Sequence, residues 1–285
     1  MKKRVLSAIA GLILLAVLLA FFDTILVNVL AAWVCLLSLY EIFKAAGLLR
    51  FRTLVAVCGL YCILILFLNT SAIAVSFSYL SYLLVVLLFL ILLQSHNELR
   101  VEQMAYSFLI SILLAVSFYC IILLKEQTGP QMGVFYLLLI FGSAWWSDSG
   151  AFFVGTFFGK HKLCPQVSPK KTVEGLIGGL VTSTVCNVLV ALAFQALCNW
   201  VVPWGYIRNA VTVNLPAVAL VTPVASLLGV LGDLSASIIK RQCSIKDFGN
   251  LMPGHGGAMD RFDSVLFIGP LFYFIFNICP LISAI

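Results

Sequence analysis

Nine apolar runs dominate the chain, at approximately residues 5–22, 24–43, 53–69, 71–94, 105–124, 132–158, 173–201, 212–239 and 264–284. Each approaches the roughly 20 residues that an α-helix needs to cross the hydrocarbon core of a bilayer. A backbone in hydrocarbon must satisfy its own hydrogen bonds, so runs of this length fold as helices. The chain is 62% apolar and 10% charged over 285 residues, whereas soluble domains run nearer 45–50% and about 25%. The expected fold is an all-α integral membrane protein, a polytopic helical bundle of about nine transmembrane helices in a single integral membrane domain over 1–285. Residues 1–130 are nearly featureless Leu/Val/Ile/Phe spans and read as helical scaffold. The polar residues gather within 131–285.

The first run follows Lys2, Lys3 and Arg4 but ends in Leu19-Ala20-Phe21-Phe22, not in a small-residue cleavage site, and is expected to stay as an anchor. Nine crossings with a cytoplasmic N-terminus put the C-terminus outside. All but two of the 17 Lys and Arg residues then fall in inside loops, leaving only Lys125 and Arg208 outside. That asymmetry is the one cytoplasmic loops carry, and it accounts for the net charge of +6. No basic-aromatic run suits nucleic acid. The nine cysteines, Cys35, Cys58, Cys62, Cys120, Cys164, Cys186, Cys198, Cys243 and Cys279, form no CxxC pair. Most lie in apolar runs, where a thiol packs as a small hydrophobe. Glu41, near the inner end of the second run, is expected to snorkel to the interface.

The chemistry-bearing residues follow residue 142. Asp148, in Trp145-Trp146-Ser147-Asp148-Ser149-Gly150, lies at membrane depth, where an ionisable group is a functional candidate. The same stretch suits a break between two half-helices with Asp148 as a cap. An inside loop carries Lys160-His161-Lys162 and Ser168-Pro169-Lys170-Lys171-Thr172, a Ser/Thr-rich basic turn before a helix and so a ready anion site. Asp233, Ser237 and Lys240 share one helical face at i, i+4 and i+7. The last loop, from Lys246 to Asp263, holds three Asp, two cations, one His, four Gly and one Pro. Asp247, Asp260 and Asp263 offer hard oxygens of the kind Mg²⁺ takes. Gly256 and Gly257 let backbone N–H groups approach phosphate, and Lys246 and Arg261 balance its charge. His255 lacks a nearby second His or Cys for zinc, which points it to phosphate or to a turn. The set reads as metal plus phosphate at the inner face of the membrane, suited to a lipid phosphate or a nucleotide.

These residues resemble a known signature. Ser237, Lys240-Arg241, Lys246-Asp247, Gly249, Pro253, His255-Gly256-Gly257, Asp260-Arg261 and Asp263, at their spacings, are similar to that of the CDP-diacylglycerol synthases (phosphatidate cytidylyltransferases). Asp148-Ser149-Gly150-Ala151-Phe152, Gly159-Lys160-His161-Lys162-Leu163 and Ser168-Pro169-Lys170-Lys171-Thr172 look like further blocks of that family, in the same order. The resemblance covers about 140–265. It departs where the family usually has a carboxylate two or three residues after the Asp of its Gly-Asp block; this chain has Ser235-Ala236. The resemblance implies transfer of CMP from CTP to phosphatidate, giving CDP-diacylglycerol and pyrophosphate. With it, 131–285 supplies catalytic helices and cytoplasmic loops. Asp233 and Asp260 are the implied Mg²⁺ ligands, with or without a second cation. Asp233, Asp260, Lys240, Arg241, Lys246, Asp247, Arg261 and Asp263 form the implied catalytic set. Asp148, Lys160, His161, Lys162, Ser168, Lys170, Lys171, Ser237, His255, Gly256 and Gly257 are implied to meet substrate. CTP, phosphatidate and membrane lipids are the implied partners, with a second copy of the chain as a candidate and no nucleic acid. The implied location is the inner (plasma) membrane, multi-pass, with the site facing the cytoplasm.

Two rivals stand beside this reading. A CDP-alcohol phosphatidyltransferase would need a DGxxAR run that is absent. A cation-coupled transporter could use Asp148 and Asp233 as an ion path, but no internal repeat is visible and the polar loop would be surplus to a gate.

Overall fold

Where the apolar runs fall within the residues described by the computed structural model (21–68, 73–200, 209–249 and 256–284), they are helical over most of their length. The first run, apart from its last two residues, lies outside the described residues, as do Arg208, Pro253 and His255. In chain order the elements are α1 (Leu26–Ala45), a 3-10 turn (Leu48–Arg50), α2 (Arg52–Leu66), α3 (Ile73–Gln94), α4 (Val101–Phe158), β1 (Lys162–Cys164), β2 (Ser168–Thr172), α5 (Val173–Trp200), β3 (Val211–Val213), α6 (Leu215–Gln242), α7 (Met259–Phe262), α8 (Val265–Ile278) and β4 (Ile282–Ala284). Five helices among the described residues are long and apolar enough to cross a membrane, and α2 and α8 are shorter apolar helices. The protein is an all-α polytopic membrane protein.

The 58 residues of α4 would extend about 87 Å at 1.5 Å per residue, far more than a core of about 30 Å. Gly129, at φ 77° and ψ 169°, interrupts its helical backbone just before Pro130. A left-handed φ favours glycine, and proline removes the N–H a continuing helix would use. The interruption falls between the fifth and sixth apolar runs.

The chain divides into two units: Met1–Leu123 with Gln242–Phe262, and Leu124–Arg241 with Asp263–Ile285. The last loop up to Phe262 thus belongs with the N-terminal helices, while Asp263 belongs with α6 and α8 in the second unit. In the first unit α1 packs on α2, α2 on α3, and the short α7 on α1. Buried Asn28 Nδ2 donates to the Leu66 carbonyl at 3.2 Å, tying α1 to the end of α2. Leu39, Ile42, Phe43, Leu54, Ile65 and Leu66 fill the interior.

In the second unit, residues 130–158 of α4 meet α5 through small residues. A Cβ at Gly178 would run into the Val154 side chain, and one at Gly150 into Thr182. Such contacts let membrane helices approach until van der Waals packing is close. Deeper in, Asn187 Nδ2 on α5 donates to Ser143 Oγ at 2.9 Å and to the Leu139 carbonyl at 3.2 Å on α4. Ser226 Oγ on α6 donates to Ser183 Oγ at 2.7 Å. A buried polar network therefore joins three helices. Strands β3 and β4 pair antiparallel, Val211 opposite Ala284. The half-helix break expected at Ser147–Gly150 does not occur: α4 continues to Phe158. Gly150 serves packing, and in hydrocarbon an opened helix would leave backbone groups unsatisfied.

Candidate active site

Asp233 lies on α6, about two turns before its C-terminal end, and its carboxylate forms an ion pair with Lys171 Nζ from β2. Each side chain is about one-quarter exposed (26% and 28%). Gly232 explains how the next element comes close. A Cβ there would meet the Asp263 carbonyl and the Phe267 ring, so α6 can lie against the start of α8 only without a side chain at 232. Asp263 follows directly from this packing and is 7% exposed. Burial, and then the neighbouring charge of Asp233, push its carboxyl up to about 7; the Ser264 N–H and Lys240 pull it down, and Asp148 adds to the rise. Its Oδ1 accepts the Ser264 N–H at 2.7 Å. The structure thus gathers Lys171, Asp233, Lys240 and Asp263, with Asp148 in electrostatic reach. Ser237 keeps the helical face that the spacing predicts.

The expected basic turn is a β-hairpin. Lys162 pairs opposite Thr172, and Cys164 opposite Ser168, with an irregular register between them. Thr172 Oγ1 accepts the Gly175 N–H at 3.1 Å, which caps the start of α5. Glu174, in the first turn of α5, holds the open end of the hairpin. Its carboxylate accepts the Lys160 N–H at 3.1 Å and the His161 N–H at 3.1–3.2 Å, and lies 2.6 Å from His161 Nδ1. The hairpin therefore presents Lys160, Lys162 and Lys170 as exposed charges, turns Lys171 inward to Asp233, and ties up the His161 ring. Ser168 is half-buried on β2, and Arg241 is exposed at the end of α6.

In the first unit the last loop is closed at its base by Asp260. Its Oδ2 accepts the Phe248 N–H at 2.9 Å and the Gly257 N–H at 3.0 Å. Gly256 has φ 84°, a conformation that glycine takes at little cost. The Ala258 and Met259 N–H groups donate to Glu41 Oε1 and Oε2 at 3.0 and 2.9 Å. The amide of Gly257, expected to approach phosphate, is thus taken by a carboxylate of the protein, as are those of Ala258 and Met259. Lys246, Asp247 and Arg261 are exposed. Glu41 is the correction here. It does not snorkel; it is 6% exposed and hydrogen-bonded inside the fold.

Glu41 and Glu174 are the two site carboxylates missed from sequence. A lone acid in an apolar span was the available signal for the first, and the acid following the basic block was the signal for the second.

Among the described residues, no three His, Cys, Asp or Glu side chains are placed to hold a metal ion by themselves. That does not exclude magnesium chemistry, because Mg²⁺ is usually held by one or two carboxylates plus substrate phosphates and water. The donor chemistry fits. Asp233 already draws a cation, Lys171, and Asp263 is a buried carboxyl whose pKa is raised by burial first and by Asp233 second.

A family model described as the cytidylyltransferase family matches residues 2–279. The chain belongs to that family. As a cytidylyltransferase-family protein it is a nucleotidyltransferase, and the expected enzyme class holds. It is similar to the phosphatidate cytidylyltransferase of Bacillus subtilis (strain 168), 32% identical over 251 residues, covering 88% of this chain and 77% of that protein. It is similar also to that of Staphylococcus epidermidis (strain ATCC 12228 / FDA PCI 1200), 31% identical over 283 residues, 95% of this chain and 97% of the relative. Against the Staphylococcus aureus (strain COL) protein of the same name, identity is 42% over 139 residues, 49% of this chain and 48% of the other.

Proposed function

We propose that this cytidylyltransferase-family enzyme transfers CMP from CTP to phosphatidate, releasing pyrophosphate. The observation that carries the reading is the pairing of Lys171 with Asp233 beside buried Asp263, in a chain similar to proteins named phosphatidate cytidylyltransferase. A cluster of this kind has the charges that a polyanion and its cation need. An oxygen of the phosphatidate phosphate attacks the CTP α-phosphorus. The bond from that phosphorus to the β-bridging oxygen breaks, and pyrophosphate leaves with the electron pair. The attacking oxygen is already anionic, so no general base is required. Catalysis is then positioning and charge neutralisation.

In the second unit Lys171, Lys240 and Arg241 are assigned to substrate phosphate; in the first unit Lys246 and Arg261 are assigned to substrate phosphate. The hairpin lysines Lys160, Lys162 and Lys170, with Ser168 and His161, meet phosphate at the membrane surface. Asp148 and Ser237 face substrate. Asp233 and Asp260 are the assigned Mg²⁺ ligands, each within its own unit, with Asp263 orienting Lys240 and Asp247 orienting Lys246. Bound Mg²⁺ would offset the charge that builds on the triphosphate. The lysine-rich loops support a site on the cytoplasmic face of the cell membrane.

The test is pyrophosphate release by purified protein given CTP and Mg²⁺, with and without phosphatidate. Release that requires phosphatidate and is stopped by EDTA supports the proposal. Folded protein that releases none, or releases it equally without the lipid, overturns it, and an ion-transport assay would then test the rival reading.

A further inference from the structure

Glu41 is the buried carboxylate among the described residues of the first unit, and its bonds cross most of the sequence. Oε1 accepts the Ala258 N–H and Oε2 accepts the Met259 N–H. Those amides lead into α7, where the first N–H groups of a helix lack intrahelical partners. A buried N–H requires an acceptor, and Glu41 supplies both. The loop reaches it by being small where it must be. A Cβ at Gly249 or at Gly257 would run into the Glu41 carboxylate. The next residue after Met259 is Asp260, whose Oδ2 takes the Phe248 and Gly257 N–H groups. The backbone that sets the place of Asp260 and Arg261 is therefore held on one side by a residue of α1.

We propose that Glu41 is a positioning residue for nucleotidyl transfer: from α1 its carboxylate fixes the backbone of the loop that carries Asp247, Asp260 and Arg261. It touches no substrate and acts through the Ala258 and Met259 amides. The inference rests on the proposed reaction only for its activity readout. Misplacing a reacting constellation by about 1 Å costs on the order of 10²-fold in rate, and that is the scale expected when the anchor is lost.

Glu41→Gln keeps the size of the side chain and turns one accepting oxygen into an NH₂ that faces an N–H donor. In full-length detergent-purified protein, CDP-diacylglycerol synthesis should fall in kcat by about 10²-fold, with KM for CTP changed far less. Thermal unfolding should stay cooperative with a lowered midpoint, while amide hydrogen exchange at Ala258 and Met259 accelerates. Gly249→Ala presses on the same carboxylate without altering any charge, and should give the same pattern; it decides the matter if Glu41→Gln does not fold. Wild-type kcat in either folded variant, with or without faster exchange, overturns the proposal. Lower kcat with exchange unchanged at Ala258 and Met259 also overturns it. If wild-type protein makes no CDP-diacylglycerol, the substrate reading has failed separately. Exchange then judges Glu41: protection lost in Glu41→Gln supports it, and protection unchanged removes it.

Discussion

At the scale of single residues, charge placement decides what each side chain can do. Lys171 and Asp233 are paired; each side chain is about one-quarter exposed, yet the Lys171 ammonium itself is buried, so removing it leaves the Asp233 charge uncompensated. Lys171→Met should therefore lower the unfolding temperature and also lower turnover, by about tenfold or more. Parallel melting and turnover measurements check this, and a large melting shift with turnover intact would make the pair structural. Asp233 and Lys171 were both legible as candidates in the sequence, but their pairing was not, because nothing in spacing links β2 to α6. Glu41 was illegible for a sharper reason. Its partners lie 217 and 218 residues away, and a carboxylate one turn from the end of an apolar run looks the same from sequence whether it reaches water or a buried amide.

At the scale of elements, glycines set how near one backbone comes to another. Gly232→Ala places a methyl against the Asp263 carbonyl, and overpacking of that kind costs about 1–3 kcal/mol. The expected result is lower thermal stability together with lower turnover, since Asp263 and Asp233 move with it; melting and CTP turnover on one preparation test both parts. Asn187→Ala removes donors to Ser143 and Leu139 and should cost about 1–2 kcal/mol in detergent-unfolding midpoint, with the α6–α8 cluster left able to turn over. The helices themselves were readable from hydropathy. The fate of Ser147–Gly150 was not, because capping residues signal a break only where the freed backbone can find water. Here Gly150 lies against Thr182, and the helix stays whole. The hairpin at Lys162–Thr172 was hidden for the opposite reason: Ser168-Pro169-Lys170-Lys171-Thr172 has no alternating apolar pattern, and its pairing depends on Glu174 gripping residues 160 and 161.

At the scale of the whole molecule, the sequence carried its message in two registers. Hydropathy announced a polytopic membrane protein. The clustered Asp, Lys and Gly blocks announced metal and phosphate chemistry; their resemblance to a known signature implied nucleotidyl transfer, and the family match over residues 2–279 agrees with that class. What neither register carried was the partition: the loop of Lys246–Phe262 belongs with the N-terminal helices, which looked like plain scaffold. Lysine asymmetry predicts that the hairpin faces the cytoplasm. A cysteine introduced as Lys162→Cys, with the native cysteines replaced, should be labelled by an impermeant maleimide in inverted vesicles and not in intact cells; the reverse would invert the topology. The central claim is that the α-phosphoryl group of CTP passes to a lipid phosphate. The most direct measurement follows CTP labelled at the α-phosphate in phosphatidate-containing micelles, with EDTA and Asp233→Asn as controls. The account predicts label in CDP-diacylglycerol, none of it lipid-bound when the γ-phosphate is labelled instead, and none in either control. Label that never enters lipid in well-folded protein, or that enters it from the γ-position, would contradict the account.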